Sequence, residues 1–265
     1  MRPHPLLPLV PLAALGCRQI EPAPKELDAL LRWSFAEYED APDETWAEAI
    51  RNLDKAVGGG QVEHFDGTVT DLTREQVERT GITHADPSKA QGIFMVNPVA
   101  CTLKQLTELV TARDQNGLYP GTYETFDREW TSDVEAFRAG REDWATWDES
   151  FSFDQLGIAY TADLEGGARR VPELDAEQSP FGPALINRRV MLRPADMEKD
   201  DHAYPQDWRV EIYYEREPGL VVHAAAMWRQ ADFGALNSDQ EGTWRILLNG
   251  MKDWDDTSEK HCADM

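Results

Sequence analysis

Residues 208–228 read WRVEIYYEREPGLVVHAAAMW. Trp208, Val210, Ile212 and Tyr214 alternate with Arg209, Glu211, Tyr213 and Glu215. That period of two places successive side chains on opposite faces of a strand. Pro218-Gly219 supplies a type II turn, with proline presetting the first corner and glycine taking the positive φ of the second. Leu220, Val222, Ala224, Ala226 and Trp228 then return along one face. The stretch is an antiparallel hairpin with one apolar face, and such a face must be covered. A cover follows at once. Trp244, Leu247, Leu248, Met251 and Trp254 recur at i, i+3, i+4, i+7 and i+10, behind a Ser238/Glu241 capping box. We therefore expect a helix over 239–252. The acidic run 253–259 reads as a kink or restart, with Asp256 capping a last turn that ends at His261-Cys262.

Working back from the hairpin, Leu185 to Leu192 is another strand. In 146–164 the apolar phase moves from the odd positions Trp147, Phe151 and Phe153 to the even positions Leu156 to Leu164, which calls for a bulge or turn near Asp154. Residues 122–137 read as one or two strands. A Thr102/Gln105 capping box opens a helix carrying Leu103, Leu106, Leu109 and Val110, which stops near Asn116-Gly117. Before it, Ile93 to Cys101 is a short strand that Pro98 confines to an edge or bend. Residues 25–57 read as a helical hairpin, with Leu27, Leu30, Leu31, Phe35 and Tyr38 on one stripe and Trp46, Ile50, Leu53 and Val57 on the other. Thr73 and Gln76 form a further capping box, and Asp86-Pro87 opens another turn of helix.

This order of elements resembles the helix-grip, or START-like, family over residues 92–262. The resemblance implies an α+β fold: an N-terminal helical segment, then a curved antiparallel sheet covered by a C-terminal helix around an apolar cavity. It also implies two short helices after the first strand, of which the residues show one. A cystatin- or NTF2-like sheet with a helix is the alternative. On the helix-grip reading Trp208, Tyr214, Trp228, Trp244, Leu248 and Met251 are the candidates to line the cavity.

Composition bounds the function. Forty-nine acidic against 26 basic residues give a net charge of -23 over 265 residues. No basic stripe is available to displace counterions from phosphates, so nucleic acid is excluded as a partner. Three cysteines are too few for a disulfide scaffold or a cysteine-rich zinc site. The six histidines, at 4, 64, 84, 202, 223 and 261, show no metal-ligand spacing, and His223 reads as a strand residue opposite the apolar row. The acidic run 253–259 lacks the glycine and glutamate of a calcium loop. No catalytic motif is present, so neither a catalytic residue, a cofactor nor a metal is expected.

The chain begins MRPHPLLPLVPLAALGC: one Arg, ten apolar residues from Leu6 to Leu15, then small residues before Cys17. That is the shape of a secretory signal. With the cysteine there it resembles the lipobox of bacterial lipoprotein precursors, although Ala14 and Leu15 stand in reverse order. The resemblance implies removal of 1–16, lipid on Cys17, a tether over 17–24 and, with Arg18 rather than Asp next, sorting to the outer membrane of the cell envelope. Residues 25–85 are then a helical add-on and 92–262 the main domain. In that oxidising compartment Cys101 and Cys262 either bridge or stay as two buried thiols. A bridge would constrain the unfolded chain by roughly 4–5 kcal/mol in the chain-entropy account. Three functions follow as expectations: a membrane-tethered protein binding an apolar small molecule or lipid; an interaction protein docking envelope partners through 25–85; or an unrecognised hydrolase using a carboxylate pair.

Overall fold

The computed structural model describes residues 20–58, 62–155, 157–173, 181–234 and 236–265. The leader and Cys17 lie outside them.

Two helices come first, α1 (Leu27–Ala36) and α2 (Asp43–Ala56). Their stripes are the expected ones, with Leu30, Leu31, Phe35, Trp46, Ile50 and Leu53 all buried. Asp43 and Glu44 stand in the first turn of α2 and Lys55 in the last, as the helix dipole favours. Residues 20–24, expected as free tether, are docked on this pair. Trp33 Nε1 donates to the Glu21 carbonyl at 3.0 Å, and Asn52 Nδ2 donates to the Ala23 and Pro24 carbonyls at 3.1 Å each.

Next come β1 (Phe65–Thr68), α3 (Arg74–Glu78), a 3-10 turn over Pro87–Lys89 and β2 (Gln91–Val99). The Thr73/Gln76 and Thr102/Gln105 capping boxes both form, the second opening α4 (Leu103–Val110). The second short helix is α5 (Gln115–Leu118), capped by the Asp114 side chain. Gly117, read as a stop, lies inside it. Residues 122–137 divide into one strand, β3 (Thr125–Trp130), and a helix, α6 (Val134–Arg138). The phase change near Asp154 is a tight turn: β4 (Trp144–Gln155) hands over to β5 (Ile158–Val171) around Gly157, whose φ is +74°. There follow β6 (Ala184–Met191), β7 (Asp196–Met197), β8 (Ala203–Glu217), β9 (Leu220–Phe233), β10 (Leu236–Asn237) and α7 (Glu241–Asp264).

The strands form one antiparallel sheet in the order β1-β2-β9-β8-β6-β5-β4-β3, with β10 beside β9 and β7 beside β5. The fold is therefore α+β: a curved ten-stranded antiparallel sheet with a long C-terminal helix against one face. β1 pairs only Ile93–Val96, so Pro98 sits where β2 has a partner on one side alone. The face built by Ile186, Trp208, Val210, Ile212, Tyr214, Ala224, Ala226 and Trp228 packs under α1 and α2 in a single core. The opposite face meets α7, where Leu248 packs on Ile93, Met95, Ala225 and Met227.

Two expectations about α7 are corrected. Ser238 does not cap it. The N-cap is Gln240, without a side-chain bond, and Ser238 Oγ instead accepts from the Ala231 N–H at 3.0 Å, tying the β9–β10 turn. Nor does the helix kink at 253–259; it runs unbroken for 24 residues. Lys252 and Asp256 pair at i,i+4 (2.7 Å), and Asp255 and Ser258 turn inward and are buried. Cys101, just beyond β2, is bridged to Cys262 near the end of α7 with Cα atoms 5.5 Å apart.

Candidate functional site

The six residues expected to line one cavity lie on two sides of the sheet. Trp208, Tyr214 and Trp228 are fully buried under the N-terminal helices. Trp228 stands 5.7 Å from Phe35 ring to ring, and Tyr214 Oη donates to Asp54 at 3.1 Å. Trp244, Leu248 and Met251 are on α7 against the other face. The reason is the strand period itself: positions 208, 214 and 228 share one face, and α7 covers the face of positions 225 and 227. They do not line a common cavity.

What the α7 side also holds, beside the patch under Leu248 and the apolar cluster that Leu106, Leu109 and Phe137 make with Trp147, Leu185 and Val221, is a layer of charge. On β8 the row Asp207, Arg209, Glu211, Tyr213 faces this side. In register with it stand Arg189 and Asn187 on β6, and His223 on β9. Arg209 Nε donates to Asp207 at 2.8 Å and Arg229 Nε donates to it at 2.6 Å, while the Tyr204 hydroxyl also donates to it. Glu211 accepts from Asn187 Nδ2 at 2.5 Å and the Tyr213 hydroxyl at 3.2 Å, with Arg189 Nη2 at 3.2 Å. Glu149 accepts from Arg128 Nε at 3.1 Å and Trp147 Nε1 at 2.6 Å. Gly166 makes room for that indole, since a Cβ there would lie 2.2 Å from Trp147 Nε1.

Electrostatics follow from the geometry. Burial alone would push Asp207 up, but the Arg209 and Arg229 guanidinium groups hold it well below the usual carboxylate range. Glu149 and Glu211 are lowered in the same way, burial being outweighed by Arg128 and Arg189 for the first and by Arg189 and His223 for the second. The layer is thus ionised at neutral pH. Its members are enclosed by protein, yet Arg189, Glu211, Arg209 and Arg229 keep 14, 14, 19 and 12% of their side-chain surface open. Polar atoms remain without partners among the described residues: Arg189 Nε, Asn187 Oδ1 and His223 Nε2 are buried and unbonded.

His223 sits at the edge of this layer. Its Nδ1 is 2.8 Å from Asp255 on α7, whose other oxygen accepts from Asn97 at 2.9 Å. The ring stacks on Tyr213 at 4.2 Å. Burial pulls its pKa down, but the Asp255 charge and hydrogen bond, with Glu211, raise it above the ordinary histidine value. The Asp255 carboxylate thus fixes the orientation of the imidazole and leaves its Nε2 facing the charged layer without a partner among the described residues.

At one end the layer meets aromatic rings. Tyr160 stacks on Phe153 at 5.4 Å and on Phe233 at 5.8 Å, and lies 5.1 Å from Tyr204. Tyr123 lies 5.1 Å from Phe126. Tyr123, Phe126, Phe153, Tyr160 and Phe233 are only half-buried. Among the described residues no cluster of three or more His, Cys, Asp or Glu could hold a metal ion, and no helix is long and apolar enough to cross a membrane.

Sequence reasoning missed the layer because alternation tells which residues share a face, not what covers it. The row 207, 209, 211, 213 looks like a solvent face. One signal argued otherwise: His223 shares its row with Ala225 and Met227, which a wetted face does not need.

No family model matches the chain, and no curated protein matches it. Among solved structures it is similar to human STARD10, with a TM-score of 0.46 and 10% identity, over 83% of this chain and 81% of that one. It is also similar to norcoclaurine synthase from Thalictrum flavum in complex with dopamine and hydroxybenzaldehyde, with a TM-score of 0.36 and 10% identity, over 69% of this chain and 95% of that one.

Proposed function

We propose that this is a lipid-anchored protein of the cell envelope, tethered through Cys17, whose domain takes up a small amphiphilic molecule on the α7 side of the sheet. The apolar part of the ligand lies against the half-buried rings of Phe126, Phe153, Tyr160 and Phe233. Its polar end reaches Arg189, Arg209 and Arg229. One observation carries the reading: these guanidinium groups are enclosed by protein and still keep open surface. A face that needed only a cover would be as stable with packed apolar side chains, because buried ion pairs recover little more than their desolvation cost. Retaining them is reasonable where they meet a ligand. The ligand class is thereby narrowed from apolar to amphiphilic.

Native mass spectrometry of the anchored chain, released gently from its host membrane, tests this. A bound molecule is expected, and Arg189→Met and Arg209→Met variants with unchanged circular dichroism should lose it. An empty chain, or a molecule retained by both variants, overturns the reading. Metabolic labelling with palmitate tests the anchor separately: label on the wild type and none on Cys17→Ser is expected.

A further inference from the structure

The opposite face of the sheet carries a second site. Beyond the cover of α1 and α2, a cleft of about 380 Å³ opens between the α1–α2 turn and strands β4, β5 and β6. Its walls include Tyr38, Trp144 and Val190, and Gly167 leaves bare backbone in its lining. The rings of Tyr38 and Trp144 meet edge to face at 5.3 Å. The volume lies in the range of small-molecule sites.

Both signs stand at this cleft, with the Arg188 guanidinium 4.5 Å from the centre of the Tyr38 ring and that of Arg169 5.0 Å from the Trp144 ring, and acid is in excess once internal pairs are set aside. Arg188 pairs with Glu39, and Arg169 with Asp43 at 2.8 Å. That leaves Glu165, which lines the cleft, and Asp148, directly opposite it on β4. Both are exposed. Neither carboxylate has a hydrogen-bond or ionic partner among the described residues, and like charges directly opposite on neighbouring strands destabilise a sheet. An independent observation points the same way. The Tyr38 hydroxyl is buried in the cleft wall and has no hydrogen-bond partner among the described residues. It stands over Gly167, where a Cβ would lie 3.0 Å from it. Burial raises its pKa, so it stays a neutral phenol whose oxygen can accept a hydrogen bond. A metal ion does not suit the place, since the carboxylates are too few and two walls are aromatic.

We propose that this cleft binds a small organic monocation, an amine no larger than one ring with a short arm. Its body lies between Tyr38, Trp144 and Val190, and its ammonium is shared by the Tyr38 hydroxyl oxygen and the Glu165 carboxylate, with Asp148 adding charge.

Two-dimensional NMR of the full-length chain, titrated with benzylamine, benzyl alcohol and benzoate, tests it. Benzylamine should give saturable shifts in the amides of 144–148 and 165–168, with benzyl alcohol at least tenfold weaker and benzoate inert. The Asp148→Asn/Glu165→Gln double variant, which changes charge at exposed positions with little change in shape, should weaken benzylamine at least tenfold. Gly167→Ala, which fills the space below the hydroxyl, should weaken all binding there. No saturable shift below about 10 mM, equal binding of the alcohol, or unchanged affinity in the double variant overturns the proposal. Shifts confined to 207–211 and 223–229 overturn it equally, because they would place the amine on the other face.

Discussion

Asp207 stands between two guanidinium groups and a phenol, with none of its side chain open to solvent. Replacing it by Asn would leave Arg209 and Arg229 enclosed without their counter-charge. Breaking a buried pair in this way costs about 3–5 kcal/mol. Asp207→Asn is therefore expected to lower the unfolding free energy by that amount in urea titrations; a loss below about 1 kcal/mol would mean that the layer is wet enough to screen itself. His223 sets a different dependence. Its folded pKa is raised, so its contribution is complete below the unfolded value of about 6.5 and is lost as pH rises through the folded one. Asp207, Glu149 and Glu211 are lowered, so theirs is complete above about 4.3 and is lost as pH falls through their folded values. Stability should fall on both sides of a slightly acidic optimum. In His223→Gln the alkaline decline above pH ~6.5 should flatten, and unfolding curves at several pH values would show whether it does.

The element that joins these residues to the rest is α7. Its anchors along its length include Leu248 on the apolar patch, Asp255 on His223 and Asn97, Ser258 on the Tyr119 hydroxyl at 2.9 Å, and Cys262 on Cys101. The bridge spans 161 residues of sequence. Removing it with Cys101→Ala and Cys262→Ala should cost roughly 4–5 kcal/mol by the chain-entropy account, with hydrogen exchange speeding up first over 252–264. Exchange unchanged there would show that the hydrogen bonds of Asp255, Ser258, Glu259 and His261 suffice to seat the helix end. This helix also shows where sequence reasoning reaches its limit. The stripe from Trp244 to Trp254 was legible because apolar spacing reports a helix face directly. The continuation was not, because Asp253, Asp255 and Asp256 look like a breaker until Asp255 is seen to have a partner on a strand 32 residues earlier. Local signals fared likewise. The boxes at Thr73 and Thr102 involve only residues three apart and formed, whereas Ser238 was drawn away by the Ala231 N–H. The hairpin at 208–228 was legible for the same local reason, and the charged layer beside it was not, since its arginines come from four different strands.

Across the whole molecule, the docking of residues 20–24 bears on the proposed lipid anchor, because it sets how far the acidic body would stand from a membrane. An extended 17–24 would reach roughly 20 Å and hold the body beyond the Debye length of about 8 Å at physiological salt. With Ile20 packed on the core and Glu21, Ala23 and Pro24 bonded to the helices, only residues 17–19 separate a lipid on Cys17 from the domain. Three extended residues span at most about 10 Å. So acidic a chain held that close would feel an anionic surface, and the repulsion would be salt-dependent. The chain acylated at Cys17 should therefore bind phosphatidylcholine vesicles more tightly than phosphatidylglycerol-rich ones near 0.01 M salt, where screening extends over about 30 Å. The difference should shrink steadily towards about 0.5 M, where the two affinities should meet. Trp33→Phe with Asn52→Leu, which removes the bonds that pin 21–24, should lengthen the tether and narrow the gap already at low salt. Equal binding to both vesicles at low salt would mean that the body stands off from the surface and that these docked residues peel away when the lipid inserts.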